Sequence, residues 1–249
     1  LDVPAWKVAS GEVNNPLLLE RLAANRRPVL VSSGMSTATE LDAAVALLRD
    51  FDVPVGVFQC TTAYPCPPGQ LGLNQIASLK AAYACPTGLS DHSGTIYAGL
   101  AAVALGADMI EVHVTMSRDM FGPDVPASVT GRQLQELTTG CRFVRQAMNS
   151  AIDKDALARS LHAQRQMFGK SIVAARNLAK GTVVCRGDLD ARKPGTGIPA
   201  DQFRRVLGQR LAVDVAAGTP LAEIHFAPHG HMRGRNAAYQ TEKLPTGSA

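Results

Sequence analysis

Two histidines, a carboxylate and a lysine stand out as the residues of this chain that could do chemistry. His92 and His113 each close a short run of β-forming residues, and Glu111 stands two residues before His113. Alternate residues of a strand leave it on one face, so Glu111 and His113 project together. Two imidazoles and a nearby carboxylate suit a divalent cation, and nitrogen ligands favour Mn, Fe, Co or Zn over Ca. A pair of hydrogen-bonded core histidines would show the same spacing. Lys7 lies in an apolar run and is followed by Ser10 and Glu12. It could form a Schiff base, bind a carboxylate or phosphate as a point charge, or lie along a strand edge with its ammonium in water. Gly122-Pro123-Asp124 is a turn presenting an aspartate, and Lys193-Pro194-Gly195-Thr196-Gly197, next to Arg192, is a rigid basic loop.

The elements that must position these groups alternate in type. Val- and Ile-rich runs at 5–10, 28–33, 55–61, 87–92 and 109–115 predict five buried parallel strands. Between them, Thr37 and Glu40 form a capping box that opens a helix over 38–49. Thr130 and Gln133 open another that runs through Val144, and 96–106 reads as an alanine-rich helix. Strict alternation implies a parallel α/β architecture over 1–150. Ser10, Glu12, Ser32, Ser33, Tyr64, Ser90, Asp91, His92, Glu111 and His113 all fall at or just past strand C-termini. Barrels and doubly wound sheets both build sites there. No glycine-rich nucleotide-binding fingerprint or P-loop is present, which weakens a nucleotide-binding reading.

Residues 151–169 read as a charged helical linker, 170–226 as a small β-rich domain and 227–249 as a flexible tail. Within the small domain, 176–184 parallels 213–221, with Gly181 answering Gly218, which predicts internal pseudo-symmetry. The histidines at the end, His225, His229 and His231, are expected to do no more than scavenge metal weakly.

Composition narrows the class. The 249 residues are 46% hydrophobic and 18% charged, enough to bury a core and contrary to a disordered or fibrous chain. The net charge of +4 suits an anionic small substrate but lacks the basic, aromatic-interleaved stripe of a nucleic-acid binder. Arg204, Arg205, Arg210, Arg233 and Arg235 supply much of it and read as a solvated face. No apolar stretch is long enough for a membrane span. Five cysteines, Cys60, Cys66, Cys85, Cys141 and Cys185, with no C-x-x-C, argue against a disulfide framework or structural zinc and fit a reducing cytoplasm.

Taken in order, PAWKVASGEVNN, PVLVSSGMSTATE, CTTAYPCPP, GLSDHSGTIYAGLAAVALGADMIEVH and FGPDVPAS resemble the sialic acid synthase family (N-acetylneuraminate synthases and their bacterial relatives). ARKPGTGI falls in a C-terminal part similar to the antifreeze-like, or SAF, module of that family. The resemblance implies the C-terminal part of a (β/α)8 TIM barrel, five β/α units, followed by the SAF domain. It implies condensation of phosphoenolpyruvate with N-acetylmannosamine or a related amino-sugar aldehyde, giving a nonulosonic acid and phosphate. His92 and His113 would then hold a divalent cation, Mn for preference and Mg or Co otherwise. Lys7, Ser10, Tyr64 and Ser90 would hold phosphoenolpyruvate, Glu12 and Asp124 would hydrogen-bond the open-chain sugar, and Glu111 would orient a metal-bound water or a histidine.

The chain departs from the family at three places. Thr62 stands where the family often has Asn, and it lacks the amide donors of a phosphoenolpyruvate contact. Lys193 stands for the arginine that reaches from one subunit's small domain into the partner's barrel in a domain-swapped homodimer; Arg192 is adjacent. With five strands counted against eight, about 90 or more upstream residues are expected to be missing, at roughly 30 per β/α unit. Two other readings remain open: a non-catalytic sugar-binding or assembly fragment that needs another chain to complete its barrel, and a class I aldolase using Lys7.

Overall fold

The computed structural model describes residues 2–227 and divides into two compact units, Leu1–Ala151 and Ile152–Ala249. In the first, six parallel strands pair in chain order: β1 (Trp6–Val8), β2 (Val29–Ser32), β3 (Val55–Cys60), β4 (Thr87–Asp91), β5 (Met109–Thr115) and β6 (Ser128–Thr130). Sequential order with right-handed crossovers puts every helix on one face, the arrangement of a barrel wall rather than a doubly wound sheet. The helices are α1 (Pro16–Ala23), α2 (Ala38–Asp50), α3 (Gln75–Tyr83), α4 (Tyr97–Ala104) and α5 (Gly131–Asn149). Local chemistry sets their starts. Asn15 caps α1 ahead of Pro16, and capping boxes Thr37–Glu40 and Thr130–Gln133 open α2 and α5.

The expected five strands are six. The overlooked β6 is three residues long, too short for any periodicity, and lies between Pro126 and the cap of α5. It matters for the site, because it pairs with His113, Val114 and Thr115 and so fixes the end of β5.

The core lies between sheet and helices. Val8, Val29, Val31, Val55 and Val57 meet Leu19, Leu41, Val45 and Leu48, and a second cluster joins Ile76, Leu89, Ala98 and Ala102. At about 25 cal/mol per Å2 of apolar surface removed from water, such fully buried side chains each contribute about 1.5–3 kcal/mol.

The second unit begins with two short helices, α6 (Lys154–Ser160) and α7 (His162–Phe168). An antiparallel pair follows, β7 (Ser171–Ala174) with β8 (Leu189–Arg192). The rest of this β-rich part pairs through isolated antiparallel bridges, among them Val183 with Arg210, Leu178 with Val215 and Leu211 with Phe226. The repeat is a true pseudo-two-fold. Leu178 and Val215, equivalent in the two copies, exchange backbone hydrogen bonds of 2.8 Å in both directions. Lys180 N donates to Asp214 Oδ1 at 2.6 Å, and its counterpart Ala217 N donates to Asn177 Oδ1 at 2.8 Å. Gly181 and Gly218 adopt φ of +86° and +81°, the left-handed turn that glycine tolerates. Cys185 N donates to Asp188 and Ala222 N to His225 Nδ1, again at equivalent places. His225 is therefore a structural cap, which corrects its grouping with the tail; His229 and His231 lie outside the described residues. Ile172, Leu178, Val184, Leu211, Val215 and Leu221 form the core of this unit.

Candidate active site at the C-terminal ends of the strands

Strand register decides what faces away from the helices. Lys7 aligns with Leu30, Leu30 with Gly56, Cys60 with Ser90, and Ser90 with Glu111. With the valines turned toward the helices, alternation turns Lys7, Leu30, Ser32, Gly56, Phe58, Cys60, Gly88, Ser90, Met109, Glu111 and His113 to the other face. That face is apolar toward the N-terminal strand ends and polar toward the C-terminal ends. A Cβ on Gly88 would lie 2.5 Å from the Phe58 ring, so the glycine makes room for it.

Lys7 and Glu111 show that the sheet is curved. They stand on strands four positions apart, roughly 19 Å in a flat sheet. Yet Lys7 Nζ reaches Glu111 Oε2 at 2.6 Å, and it also donates to Ser32 Oγ at 2.7 Å. The ammonium lies 4.9 Å from the Phe58 ring centre. Burial pushes the Glu111 carboxyl up, but the hydrogen bonds from Lys7 and Ser90 and the Lys7 charge outweigh it, and the net shift is below the usual carboxylate value.

The two histidines meet beside this pair. Their ring centres are 5.2 Å apart and edge-on, and Tyr64 lies 4.2 Å from His92 and 5.6 Å from His113. Buried His92 places Nδ1 3.0 Å from the Thr61 carbonyl. His113 Nδ1 lies 3.6 Å from Asp124 Oδ2. His92 thus has one nitrogen held by a carbonyl, as is usual around a metal-binding histidine, His113 faces a carboxylate without a hydrogen bond, and the other nitrogen of each ring is left as a possible ligand. Burial raises the Tyr64 hydroxyl, and the neighbouring Cys60, Asp124 and Glu111 raise it further. Among the described residues no group of three or more His, Cys, Asp or Glu forms a metal cage, so a cation here would have two imidazoles and take its other ligands from substrate or water. The donor set fits such an ion.

Of the residues expected in the site, Lys7, Tyr64, Ser90, His92, Glu111, His113 and Asp124 form this cluster. Ser10 and Thr62 lie together at its rim: Ser10 Oγ accepts from Gly34 N at 3.2 Å and donates toward Cys60 Sγ at 3.4 Å. A Cβ on Gly34 would lie 2.6 Å from Ser10 Oγ and 2.7 Å from Thr62 Oγ1. Glu12 is exposed in the turn after β1 and accepts from Asn15 Nδ2 at 2.8 Å. Arg192 and Lys193 belong to the second unit, where Arg192 pairs with Asp190 at 2.9 Å and Lys193 Nζ lies 5.4 Å from the Phe168 ring centre. Sequence reasoning missed Ser32 as the acceptor from Lys7, and Cys60; strand alternation carries a signal for both, since each shares the inward face.

Comparison with known proteins gives these groups their context. Residues 1–153 match the model of the NeuB family and residues 169–227 that of the SAF domain. The chain is 34% identical over 212 residues to the N,N'-diacetyllegionaminic acid synthase of Campylobacter jejuni, covering 84% of this chain and 63% of that protein. It is 32% identical over 233 residues to the human N-acetylneuraminate-9-phosphate synthase, covering 92% and 64%. The chain thus spans just under two thirds of the length of these relatives. The crystal structure of N-acetylneuraminic acid (sialic acid) synthetase from Leptospira borgpetersenii, in complex with citrate, superposes with a TM-score of 0.61 at 31% identity, covering 67% of this chain and 59% of that one. The curved parallel sheet, the order of its polar strand ends and the agreement along 1–153 place the chain in the NeuB family.

Proposed function

We propose that the protein condenses phosphoenolpyruvate with an N-acetylated amino-sugar aldehyde, N-acetylmannosamine or a deoxy or diamino relative, to give a nonulosonic acid and phosphate. The observation that carries this reading is the convergence of the Lys7 ammonium with His92, His113 and Tyr64 at one end of the curved sheet. An anionic three-carbon donor needs a cation and hydroxyl donors. Lys7, Ser10, Ser90, Thr62 and Tyr64 supply them, with Lys7 exchanging Glu111 for the donor's carboxylate or phosphate. Glu12 and Asp124 would hydrogen-bond the sugar, and Glu111 would orient water for addition at the carbon that bears phosphate. A divalent cation held by His92 and His113, Mn for preference, would supply Lewis-acid polarisation of the aldehyde. The names of the relatives support the reaction class.

A Schiff-base role for Lys7 is the weaker reading. An imine-forming lysine attacks as the free amine, whereas Lys7 lies in an ion pair with Glu111. Borohydride with a keto acid should leave the protein unmodified. We further propose a soluble, cytoplasmic homodimer in which Arg192 and Lys193 of one subunit approach the sugar in the other. Among the described residues no helix is long and apolar enough to cross a membrane.

The test is phosphate release by the full-length protein from phosphoenolpyruvate labelled with 18O at the bridging position. The label is expected in phosphate, because the C–O bond breaks, and release should require the amino sugar. Release without sugar, or none with any N-acetylated acceptor, would refute the reading.

A further inference from the structure

Arg118 follows β5 in a turn and carries no motif. Its Nη2 donates to the Gly94 carbonyl and, at 3.1 Å, to Gln133 Oε1, and its Nη1 donates to the Pro126 carbonyl at 3.4 Å. Gly94 and Pro126 belong to different loops whose backbones touch: Gly94 has φ of +67°, and a Cβ there would overlap the Pro126 carbonyl oxygen. Two carbonyl dipoles brought together need a shared donor, and a planar guanidinium fork can serve both.

Those loops carry the site. Gly94 is two residues beyond His92, in a turn where Ser93 N and Oγ donate to buried Asp91 at 2.8 and 3.0 Å. Pro126 is two residues beyond Asp124, which faces His113, and Ser128 Oγ donates to the Asp124 carbonyl at 2.7 Å. The third acceptor, Gln133, is the capping partner of Thr130 at the start of α5.

We propose that Arg118 is a positioning residue that bridges Gly94 and Pro126, locking the loop after His92 to the loop bearing Asp124, and so sets the spacing of His92 and His113 for one cation. The proposal rests on reading the two histidines as a cation site. Arg118 acts through the loops rather than by touching either imidazole, so the loss should appear in cation affinity and local mobility.

The experiment compares wild type, Arg118→Ala and Arg118→Lys in the full-length protein. Mn2+ binding is read by the spectrum of the free ion, and hydrogen exchange is followed over 91–97 and 122–128. Arg118→Ala is expected to weaken Mn2+ binding about 10- to 100-fold, the usual cost of losing an outer-shell support. Both loops should exchange faster while α2 is unchanged. Lysine, with one ammonium, should restore little, and added methylguanidinium should restore Mn2+ affinity to the alanine variant. Wild-type affinity in Arg118→Ala, or looser loops with unchanged affinity, would overturn the proposal. Wild type that binds Mn2+ but makes no nonulosonic acid would sink the proposed function and leave this test standing; wild type that binds no Mn2+ would overturn the present inference.

Discussion

His113 is the residue on which the cation reading turns. With only two protein nitrogens available, His113→Ala should weaken Mn2+ binding more than tenfold, and condensation by the full-length enzyme should fall with EDTA and return with Mn2+. Full activity in metal-free buffer would contradict this. Glu111 gives a pH signature whose sign follows from its lowered carboxyl. A carboxyl lowered on folding adds stability that is fully present above its unfolded value of about 4.3 and is lost as pH falls through the folded value. The melting difference between wild type and Glu111→Gln should therefore be constant from neutrality to about pH 5 and shrink below about pH 4. It should be small, under about 1 kcal/mol, because both ends of the Lys7 pair keep contact with solvent. A difference that grows on acidification would refute the assignment.

At the scale of elements, the two copies within the second unit are closed by different side chains. Asp188 is buried, accepts from Cys185 N and pairs with Arg176 at 2.7 Å, whereas among the described residues the His225 side chain accepts from Ala222 N alone, at 3.1 Å. The Cys185 N–H and the Arg176 pair hold the Asp188 carboxyl below its usual range. Loss of charge-assisted bonds costs about 1.5–3 kcal/mol and of a neutral one about 1. Asp188→Ala should thus speed hydrogen exchange across β7 and β8 by about ten- to hundredfold, and His225→Ala by less. Exchange is the suitable probe because the single tryptophan, Trp6, lies in the other unit. Equal effects of the two substitutions would mean that the charge adds nothing.

At the scale of the molecule, β1 and β6 each pair on one side only within the six-stranded sheet. Unpaired strand edges template association. Residues 1–249 should therefore self-associate in light scattering; a monodisperse monomer would refute this. The proposed exchange of small domains predicts that Lys193→Ala raises the KM for the amino sugar more than that for phosphoenolpyruvate, and that Lys193→Arg lowers it through directed hydrogen bonds. Mixing Lys193→Ala and His92→Ala subunits should recover activity, since one site of each heterodimer keeps both residues. No recovery after confirmed subunit exchange would place the loop over its own barrel or away from the site.

The sequence by itself determined the alternation of strand and helix, both capping boxes, the repeat in the second unit and most of the polar strand ends. These depend on near neighbours: a period of two, a hydroxyl three residues before a Glu or Gln, a Gly in a left-handed turn. Only the tertiary structure decided the rest. The sixth strand exists because β5 offers Ser128–Thr130 a ladder to pair with, and three residues have no period of their own. Lys7 and Glu111, 104 residues apart, meet because the sheet curls, and curvature is a property of the assembled sheet rather than of any strand in it. Alternation puts Ser32 and Cys60 on the inward face, but their partners Lys7 and Ser10 are distant in the chain, and Arg118, in a turn, is marked by no local pattern. His225 is a cap because its copy of the repeat folds back on itself, which its place near the end of the chain conceals.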